Sequence, residues 1–406
     1  MSIITFFSGS FCNSQAVLDA LKQKTGFQVV DDAMLVAEAS RTSGLAEKKI
    51  EGAFSAKTSI FNQFTHEKER SIAYLRLVLS KMLVTDNLIV TGASGLLIPN
   101  DISHALWVCV IADLKSRIAA AQKEKNISEK EATNLIRKND ENLTAWVKAV
   151  LGKSDPWDAS LFDIVTPTDK MSAAESANLI AQHATSDVVR TTDASRQAVS
   201  DFQLAAKAGE ALANAGHSVS TSAKNGSVTV TINKHVLMLS RLEEELKQIV
   251  QKVPGVRNVE TTVGENFYQP DIYRKYDFQM PSKILLVDDE REFVQTLSER
   301  LIMRDMGSAV AYDGESALTM VEEEEPEVMI LDLKMPGIDG IEVLRKVKSS
   351  RPGIEVIILT GHGSEADRKV CMELGAFAYL HKPVDIEELS KTLKAANEKV
   401  QARKKQ

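Results

Sequence analysis

Five short apolar runs, each followed by a helical pattern of apolar positions, occupy the C-terminal part of the chain. Two of them, Ile284–Val287 and Val356–Leu359, are apolar throughout, which is typical of parallel strands buried on both faces. The predicted strands are Lys283–Val287, Ser308–Ala311, Val328–Leu331, Val356–Leu359 and Ala376–Leu380. The predicted helices are Glu292–Arg304, Gly314–Glu323, Gly340–Ser349, Glu365–Leu374 and Ile386–Lys399. Five β-α repeats predict a doubly wound parallel sheet over residues 282–406.

A smaller unit is predicted over residues 196–264. Its elements are the helix Asp201–Ala215, the strands His217–Ala223 and Ser227–Asn233, the helix Leu239–Lys252 and the strand Val256–Val263. The first two strands flank Lys224-Asn-Gly, and an Asn-Gly pair is a strong signal for a hairpin turn. The segments Ser186–Ser195 and Glu265–Ser282 lack sustained periodicity and are predicted to be linkers.

Residues 1–184 also alternate between apolar runs and helical patterns. The strand candidates are Ile3–Phe7, Phe27–Val30, Leu88–Thr91, Leu106–Ile111 and Ile164–Thr166. Two helices between them open with capping boxes, Ser128-x-x-Glu131 and Ser172-x-x-Glu175. This pattern predicts a second α/β domain.

Composition agrees with several soluble domains. The chain has 406 residues, of which 44% are hydrophobic and 26% are charged, so two or three domains with apolar cores are expected. Its 49 basic and 56 acidic residues give a net charge of −7, which argues against a nucleic-acid partner.

The chain also lacks the signals of a membrane or secreted protein. The longest apolar run, Ala105–Ala112, is too short for a membrane span, and the first residues have no basic region or long apolar region of a signal peptide. Three cysteines that lie far apart in the sequence form neither a disulfide framework nor a zinc motif. These features predict a cytoplasmic protein.

Acidic residues follow the first and third predicted strands of the C-terminal domain. Asp288-Asp289-Glu290 follows one strand and Asp332 ends the other. In an open parallel sheet, ligands bind beyond the carboxyl ends of the strands. Clustered carboxylates are unfavourable unless a cation neutralises them, and oxygen ligands suit Mg²⁺.

Two further polar residues are expected at the same edge. Thr360 ends the fourth strand, and Lys382-Pro383 follows the fifth. A hydroxyl and an ammonium facing carboxylates would suit a phosphoryl group carried on a carboxylate. A single aspartate at a strand end is usually a cap or turn residue, but such residues at four of five strand ends favour a functional site.

The C-terminal domain resembles a response-regulator receiver domain. The matching motifs are Leu-Val-Asp288-Asp289-Glu, Leu-Asp332-Leu-Lys-Met-Pro336-Gly-Ile-Asp-Gly340, Leu-Thr360-Gly-His and Tyr379-Leu-His-Lys382-Pro383. The resemblance implies a flavodoxin-like fold, a histidine kinase or phosphotransfer protein as partner, and output through upstream domains, protein partners or a receiver-mediated homodimer.

The resemblance also assigns roles to the residues of this pocket. It implies Asp332 as the phosphoacceptor, Asp288 and Asp289 as the acid pair for Mg²⁺, and the Lys334 carbonyl as a further metal ligand. Lys382 would contact the phosphoryl oxygens, and the Lys382–Pro383 bond is expected to be cis. Thr360 and Tyr379 would be the switch pair.

The N-terminal domain resembles the cytidylate-kinase-like family. The motifs are Val29-Val-Asp-Asp32-Ala-Met-Leu, Leu88-Ile-Val-Thr-Gly-Ala, Val108–Arg117, Ser128-Glu-Lys-Glu-Ala132 with Asp140, Asp155-Pro-Trp-Asp158 and Phe162–Asp169. The resemblance implies a P-loop-kinase-like fold with the loop Ser8–Ser14 at the triphosphate, Asp32 near the metal and Arg117 at the lid.

The departures from that family argue against catalysis. The loop Ser8-Gly-Ser-Phe-Cys-Asn-Ser14 has one glycine and no lysine, Thr91-Gly92 replaces a glycine-arginine pair, and no arginine follows Asp140. Phosphoryl transfer depends on positioning and positive charge. The domain is therefore interpreted as a degenerate kinase acting as a sensor, effector or docking module, whose nucleotide is unknown.

The middle unit resembles the small BON module through Asn225-Gly-Ser-Val-Thr-Val and Val253-Pro-Gly-Val-Arg-Asn-Val. The resemblance implies the element order αββαβ. Three hypotheses follow for the whole chain: a two-component response regulator, a phosphorylation-regulated cytidylate-type kinase, or a scaffold in a phosphorelay.

Overall fold

The structure is a computed structural model that describes residues 2–236, 239–264, 283–304, 306–361 and 363–404. Its described residues form two compact units. Of these residues, the first unit contains those up to 58, 67–214 and those from 218 to 264, and the second contains 59–66, 215–217 and those from 283 onward. The predicted linker 265–282 lies outside the described residues.

A five-stranded parallel sheet organises the N-terminal part of the first unit. Its strands are β1 (Ile3–Ser8), β2 (Gln28–Val30), β3 (Leu88–Thr91), β4 (Ala105–Ile111) and β5 (Ile164–Pro167), in the spatial order β2-β3-β1-β4-β5. All five fall where the apolar runs predict them. Apolar side chains of the central strand β1 alternate between two cores, with Ile3 and Phe7 in one and Ile4 and Phe6 in the other.

Eight helices lie among the described residues up to 184, seven of them in the first unit and one, formed by residues 62–65, in the second. They are α1 (Ser14–Thr25), α2 (Asp32–Ser43), α3 (Glu47–Glu51), α4 (Asn62–Thr65), α5 (Glu67–Met82), α6 (Leu114–Lys125), α7 (Glu129–Leu151) and α8 (Ala173–Ala184). Both predicted capping boxes form, at the N-termini of α7 and α8. In each, the serine hydroxyl oxygen accepts a hydrogen bond from a backbone N–H that has no partner within the helix.

Helix α9 (Asp193–Asn214) belongs to two hydrophobic cores. Val199 and Phe202 pack into the core of the N-terminal sheet, whereas Ala208 and Leu212 pack into the core of the middle module. Residues 186–195, predicted as a linker, instead contain a 3₁₀ turn at Asp187–Val189 and the start of α9. The prediction was wrong because the first turn of α9, Asp193-Ala-Ser-Arg-Gln, is mostly polar and carries no apolar periodicity, although Ser195 is buried.

The middle module has the predicted element order αββαβ. Its strands β6 (Ser220–Lys224), β7 (Ser227–Ile232) and β8 (Asn258–Val263) form one sheet, with helix α10 (Leu239–Val250) between the last two. Strands β6 and β7 are antiparallel and joined by the predicted hairpin, in which Asn225 and Gly226 both have positive φ. A two-residue turn of this kind matches the twist of the strands.

The second unit is built around a five-stranded parallel sheet, as predicted. Its strands are β9 (Ile284–Val287), β10 (Ser308–Ala311), β11 (Val328–Leu331), β12 (Glu355–Thr360) and β13 (Ala378–His381). Their spatial order is β10-β9-β11-β12-β13, the flavodoxin-like arrangement in which the strand order reverses beside the first strand.

Five helices cover both faces of this sheet in the described residues. They are α11 (Arg291–Ile302), α12 (Gly314–Glu323), α13 (Gly340–Ser350), α14 (Glu365–Glu373) and α15 (Ile386–Lys404). Two separate buried clusters lie on opposite faces, as continuous apolar strands require. Among the described helices of the whole chain, none combines the length and hydrophobicity needed to cross a bilayer.

Candidate functional site

The carboxyl ends of β9 and β11 place two aspartates side by side. Val287, the last residue of β9, is in register with Leu331, the last residue of β11. Asp288 and Asp332 follow these residues directly, and the Asp332 backbone N–H donates to the Val287 carbonyl at 2.9 Å. The parallel sheet therefore fixes both aspartates at one edge, as the sequence predicts.

Three carboxylates form the centre of this pocket. One oxygen from each of Asp288, Asp289 and Asp332 lies within 4.8 Å of the others. Asp288 and Asp332 are buried, whereas Asp289 is exposed. Oδ1 of Asp332 is buried and accepts no hydrogen bond from the described residues. A buried anionic oxygen without a donor is costly, and oxygen-rich sites favour Mg²⁺, so these residues fit the predicted cation.

Lys382 contributes the positive charge of the pocket. Its Nζ atom lies 2.7 Å from Oδ2 of Asp288 and 2.8 Å from Oε1 of Glu290. The ammonium also lies 4.4 Å from the centroid of the Phe293 ring. Lys382 follows β13, and its bond to Pro383 is cis, as expected from the resemblance. The ammonium therefore lies beside the carboxylate cluster at the same strand edge.

The pKa values of the pocket reflect burial and like charges. Burial raises the pKa of Asp288, the ion pair with Lys382 opposes that rise, and the charge of Asp332 adds to it. For Lys382, burial alone would lower the pKa, but the bonds to Asp288 and Glu290 and the charge of Asp332 raise it. Burial is the largest of these effects on Asp288, and the ion pair with Lys382 only partly offsets it.

The predicted switch residues lie on the two neighbouring strands. Thr360 ends β12 and is fully buried, and Tyr379 lies half-buried in β13. A Cβ on Gly363 would overlap the Tyr379 hydroxyl and lie 2.9 Å from Cγ2 of Thr360. The tyrosine hydroxyl is thus close to both Gly363 and the threonine, and among the described residues it has no hydrogen-bond partner. Burial raises the pKa of Tyr379.

Two glycines lie next to residues of the pocket, Gly340 beside the backbone of Asp332 and Gly361 beside the side chain of Lys382. A Cβ on Gly340, the first residue of α13, would overlap the carbonyl oxygen of Asp332 and lie 2.8 Å from Cα of Leu333. Helix α13 therefore begins in direct contact with the backbone of the phosphoacceptor candidate. A Cβ on Gly361 would meet only the stem of Lys382, at an ordinary distance of 3.9 Å.

Lys334 lies two residues after Asp332 with its side chain exposed. The use of its carbonyl as a metal ligand stays a prediction. The contact between Glu290 and Lys382 was not predicted, although Glu290 directly follows the acid pair in the sequence. The acidic side chain of Glu290, directly after the acid pair, was the sequence signal that could have indicated this contact.

The N-terminal loop takes an irregular course between β1 and α1. Phe11 and Asn13 both have positive φ, and Asn13 caps α1 without a side-chain hydrogen bond. A Cβ on Gly9 would lie 2.9 Å from Sγ of Cys12 and 3.1 Å from the Trp157 ring. Side chains of the protein itself therefore crowd the place where a P-loop would hold phosphates.

Arg117 is bound to this loop and to a carboxylate. Its Nε donates to the Ser10 carbonyl at 2.8 Å, and Nη2 donates to Oγ of Ser10 at 3.0 Å. Its two terminal nitrogens form a bidentate pair with Asp140 at 2.9 and 2.6 Å. The guanidinium is thus committed to the protein through the nitrogens that would otherwise bind phosphate oxygens. The pair joins residues 23 positions apart, and no sequence motif indicated it.

Asp32 is bound to the turn after β3. Its two carboxylate oxygens accept backbone N–H bonds from Ala93 at 2.8 Å and Ser94 at 2.9 Å. Burial raises the pKa of Asp32, and these hydrogen bonds oppose the rise. A Cβ on Gly92 would overlap the same carboxylate, so glycine is required there. The role of Asp32 near a metal stays a prediction.

Comparison with protein families agrees with this geometry. Residues 284–394 match the model of the response regulator receiver domain. The C-terminal domain is a receiver domain. The match covers β9 to β13 and all three carboxylates, so the receiver motifs and the observed pocket belong to the same residues.

Curated relatives match the same part of the chain. The response regulator MprA of Mycolicibacterium vanbaalenii is 34% identical over 116 residues, which are 29% of this chain and 50% of that protein. The transcriptional regulatory protein CpxR of Klebsiella pneumoniae is 41% identical over 114 residues, which are 28% of this chain and 48% of that protein. The chain thus spans about half the length of these relatives, and the similarity is confined to the receiver domain.

Solved structures similar to the chain are also receiver domains. The CheY-like receiver domain protein from Methanospirillum hungatei is 28% identical, covering 30% of this chain and 96% of that chain with a TM-score of 0.29. A receiver domain protein from Clostridium thermocellum is 34% identical, covering 29% and 96% with a TM-score of 0.29.

The region before the receiver domain has its own match. Residues 3–170 match the cytidylate kinase-like family. This range contains β1 to β5, the loop after β1, Arg117 and Asp140. The chain therefore joins a kinase-like region and a receiver domain. The BON resemblance of the middle module stays an expectation.

Proposed function

We propose that the protein is a cytoplasmic response regulator of a two-component system, in which Asp332 accepts a phosphoryl group from a histidine kinase, a phosphotransfer protein or a small phosphodonor. One observation carries the proposal. Oδ1 of Asp332 is buried and without a donor among the described residues, beside two further carboxylates and a lysine. That combination suits a carboxylate that binds a cation through one oxygen and accepts a phosphoryl group on the other.

The residues of the pocket divide the chemistry between them. Mg²⁺, when bound, supplies positive charge that offsets the charges of the carboxylates and of the phosphoryl oxygens. Asp288, Asp289 and Asp332, with the Lys334 carbonyl, would hold the cation. An oxygen of Asp332 attacks phosphorus, and the bond to the leaving group breaks with its electron pair staying on that group.

Lys382 is suited to stabilise the developing charge of the transferred group. Its ammonium bridges Asp288 and Glu290 without a phosphoryl group. A phosphoryl group on Asp332 offers the ammonium new anionic partners close to those two. The lysine can therefore exchange an existing ion pair for a charge-assisted bond to phosphoryl oxygens.

Phosphorylation would act on the neighbouring strands. It adds a charge of about −1.5 to −2 at a buried position. We expect Thr360 and Tyr379 to move toward that charge and to repack the face formed by Glu365–Leu374, Ala376–Leu380 and Ile386–Lys399. The Tyr379 hydroxyl has no hydrogen-bond partner among the described residues, so its movement would break none of the described bonds.

Residues 1–184 would serve as a sensor, effector or docking module. The bonds from Arg117 to Ser10 and Asp140 support this role, since they neutralise a cation that phosphoryl transfer would need. The second candidate function is a phosphorylation-regulated cytidylate-type kinase, which the family match over residues 3–170 favours. Receiver-mediated homodimerisation is a further route for output, and no nucleic-acid partner is proposed.

The test is phosphorylation of the full-length protein with acetyl phosphate and Mg²⁺, followed by electrophoresis that separates phosphorylated protein. The wild type should be labelled, and Asp332→Asn should abolish labelling. Asp19→Asn is the matched control, because Asp19 is an exposed residue of α1. Labelling of Asp332→Asn at the level of the control would refute the proposal.

A further inference from the structure

A cavity of about 370 Å³ lies within the first unit, between the N-terminal domain and helix α9. Its walls include Leu96, Leu97, Ile98, Phe202 and Ala205, all of which are buried. The volume falls within the range of pockets that bind small molecules. The cavity is therefore large enough for a compact apolar ligand of about ten non-hydrogen atoms.

Arg76 of helix α5 brings a permanent charge to this cavity. Its half-buried side chain lines the cavity, and its Nε is buried without a hydrogen-bond partner among the described residues. Within the described ranges it forms no ion pair. Burial lowers the pKa of Arg76, and no neighbouring carboxylate opposes this effect. Because a guanidinium stays protonated at neutral pH, an unpaired charge here is costly.

The acidic residues of the lining do not supply the missing partner. Asp201 accepts hydrogen bonds from Nε2 of Gln197 at 3.0 Å and from the Asn225 backbone at 2.9 Å. Asp101 is exposed at the rim. Neither lies within ion-pair distance of Arg76. Their negative charges would, however, disfavour a dianion in the same cavity.

From these observations we propose that the cavity binds a small monocarboxylate with an apolar body, whose carboxylate pairs with Arg76. The apolar walls would hold the body of the ligand, and a charge-assisted bond would give the buried Nε of Arg76 the partner that it lacks among the described residues. Since α9 packs into both hydrophobic cores of this unit, an occupied cavity would stabilise the contact between the N-terminal domain and the middle module. The proposal is independent of the receiver chemistry.

The test uses calorimetric titration of the full-length protein with phenylacetate and with 2-phenylethanol, which has nearly the same shape but no charge. Phenylacetate should bind about tenfold or more tightly than the alcohol, as a charge-assisted hydrogen bond implies. Phenyl phosphate should bind less tightly than phenylacetate. Equal affinity for the acid and the alcohol, no binding of either, or tighter binding of phenyl phosphate would overturn the proposal.

Variants assign the effect to Arg76. Arg76→Met should remove the preference for the acid and raise the melting temperature of the ligand-free protein, because it removes a half-buried charge whose Nε is buried without a partner among the described residues. Arg76→Lys, which keeps a charge, should retain part of the preference. Arg137→Met is the control, since Arg137 lies exposed on α7 and pairs with Glu141. An undiminished preference in Arg76→Met, or a lower melting temperature of that variant, would contradict the assignment.

Discussion

The substitution Gly340→Ala tests how the fold positions Asp332, the proposed phosphoacceptor. A methyl group at residue 340 would overlap the carbonyl oxygen of Asp332 and lie 2.8 Å from Cα of Leu333. Both contacts are with backbone atoms, so no side-chain rotation can relieve them. Either α13 must move away from the sheet, or the backbone of Asp332 must shift.

The expected cost can be estimated from the type of contact. Overpacking a well-packed site typically costs about 1–3 kcal/mol. A clash with backbone falls at the upper end, so we expect the receiver domain to lose about 3 kcal/mol of its free energy of unfolding. At Gly361 a Cβ would meet Lys382 at 3.9 Å, so Gly361→Ala should change stability by less than about 0.5 kcal/mol.

Amide hydrogen exchange of the full-length protein measures this effect within the receiver domain. The three tryptophans of the chain, Trp107, Trp146 and Trp157, all lie in the first unit, so their fluorescence during urea unfolding reports on the other unit as an internal control. Gly340→Ala should lower exchange protection in β9, β11 and α13 and leave the tryptophan transition unchanged. It should also weaken Mg²⁺-dependent binding of beryllofluoride, because Asp332 is displaced.

Protection in Gly340→Ala equal to that in Gly361→Ala would refute the reasoning. It would mean that α13 and the backbone of Asp332 can separate without cost. A loss of protection with unchanged beryllofluoride binding would show that the shift is taken up by α13 alone.

Three further predictions concern the rest of the chain. Asp140→Asn should destabilise the first unit by about 1–3 kcal/mol in urea unfolding followed by tryptophan fluorescence, because the buried guanidinium of Arg117 loses its bidentate partner. The control Glu141→Gln, at an exposed pair, should cost less than about 0.5 kcal/mol, and equal effects of the two variants would contradict the assigned pairing. The full-length protein should transfer phosphate from ATP to CMP at a rate far below about 1 s⁻¹ in a coupled assay, and turnover at that rate would show that positive charge reaches the loop from elsewhere. Burial raises the pKa of Cys109 to about 12 and that of Cys371 to about 11, so about one thousandth or less of either side chain is thiolate near pH 8. Both cysteines should react slowly with a thiol reagent until denaturant is added, and rapid labelling of the folded protein would contradict their burial.

The sequence predicts the receiver domain in detail because its signals are local. Continuous apolar runs mark strands buried on both faces, and polar residues directly after them must lie at the carboxyl edge of the sheet. The sequence alone therefore predicts that Asp288, Asp289 and Asp332 lie together. The site geometry follows almost entirely from where each strand ends.

Other features depend on contacts between distant residues, which no local pattern reveals. The pair of Arg117 and Asp140 forms because α6 and α7 lie side by side, and the charge of Arg76 is unpaired only because of what surrounds it in three dimensions. The sequence predicts a linker at residues 186–195, since the start of α9 is mostly polar and its helical structure depends on how the rest of the helix packs. Such features require the packed structure.

Hydrogen exchange of the full-length protein with and without beryllofluoride and Mg²⁺ tests most directly whether occupation of Asp332 operates a switch. Wild-type protein should show changed protection across Glu365–Lys399 as well as in the loops that hold Asp289, Asp332 and Lys382. Thr360→Ala should lose the distant change and keep the change in the loops. Changes confined to those loops in the wild type would contradict the account, and the receiver domain would then bind phosphate without relaying a signal.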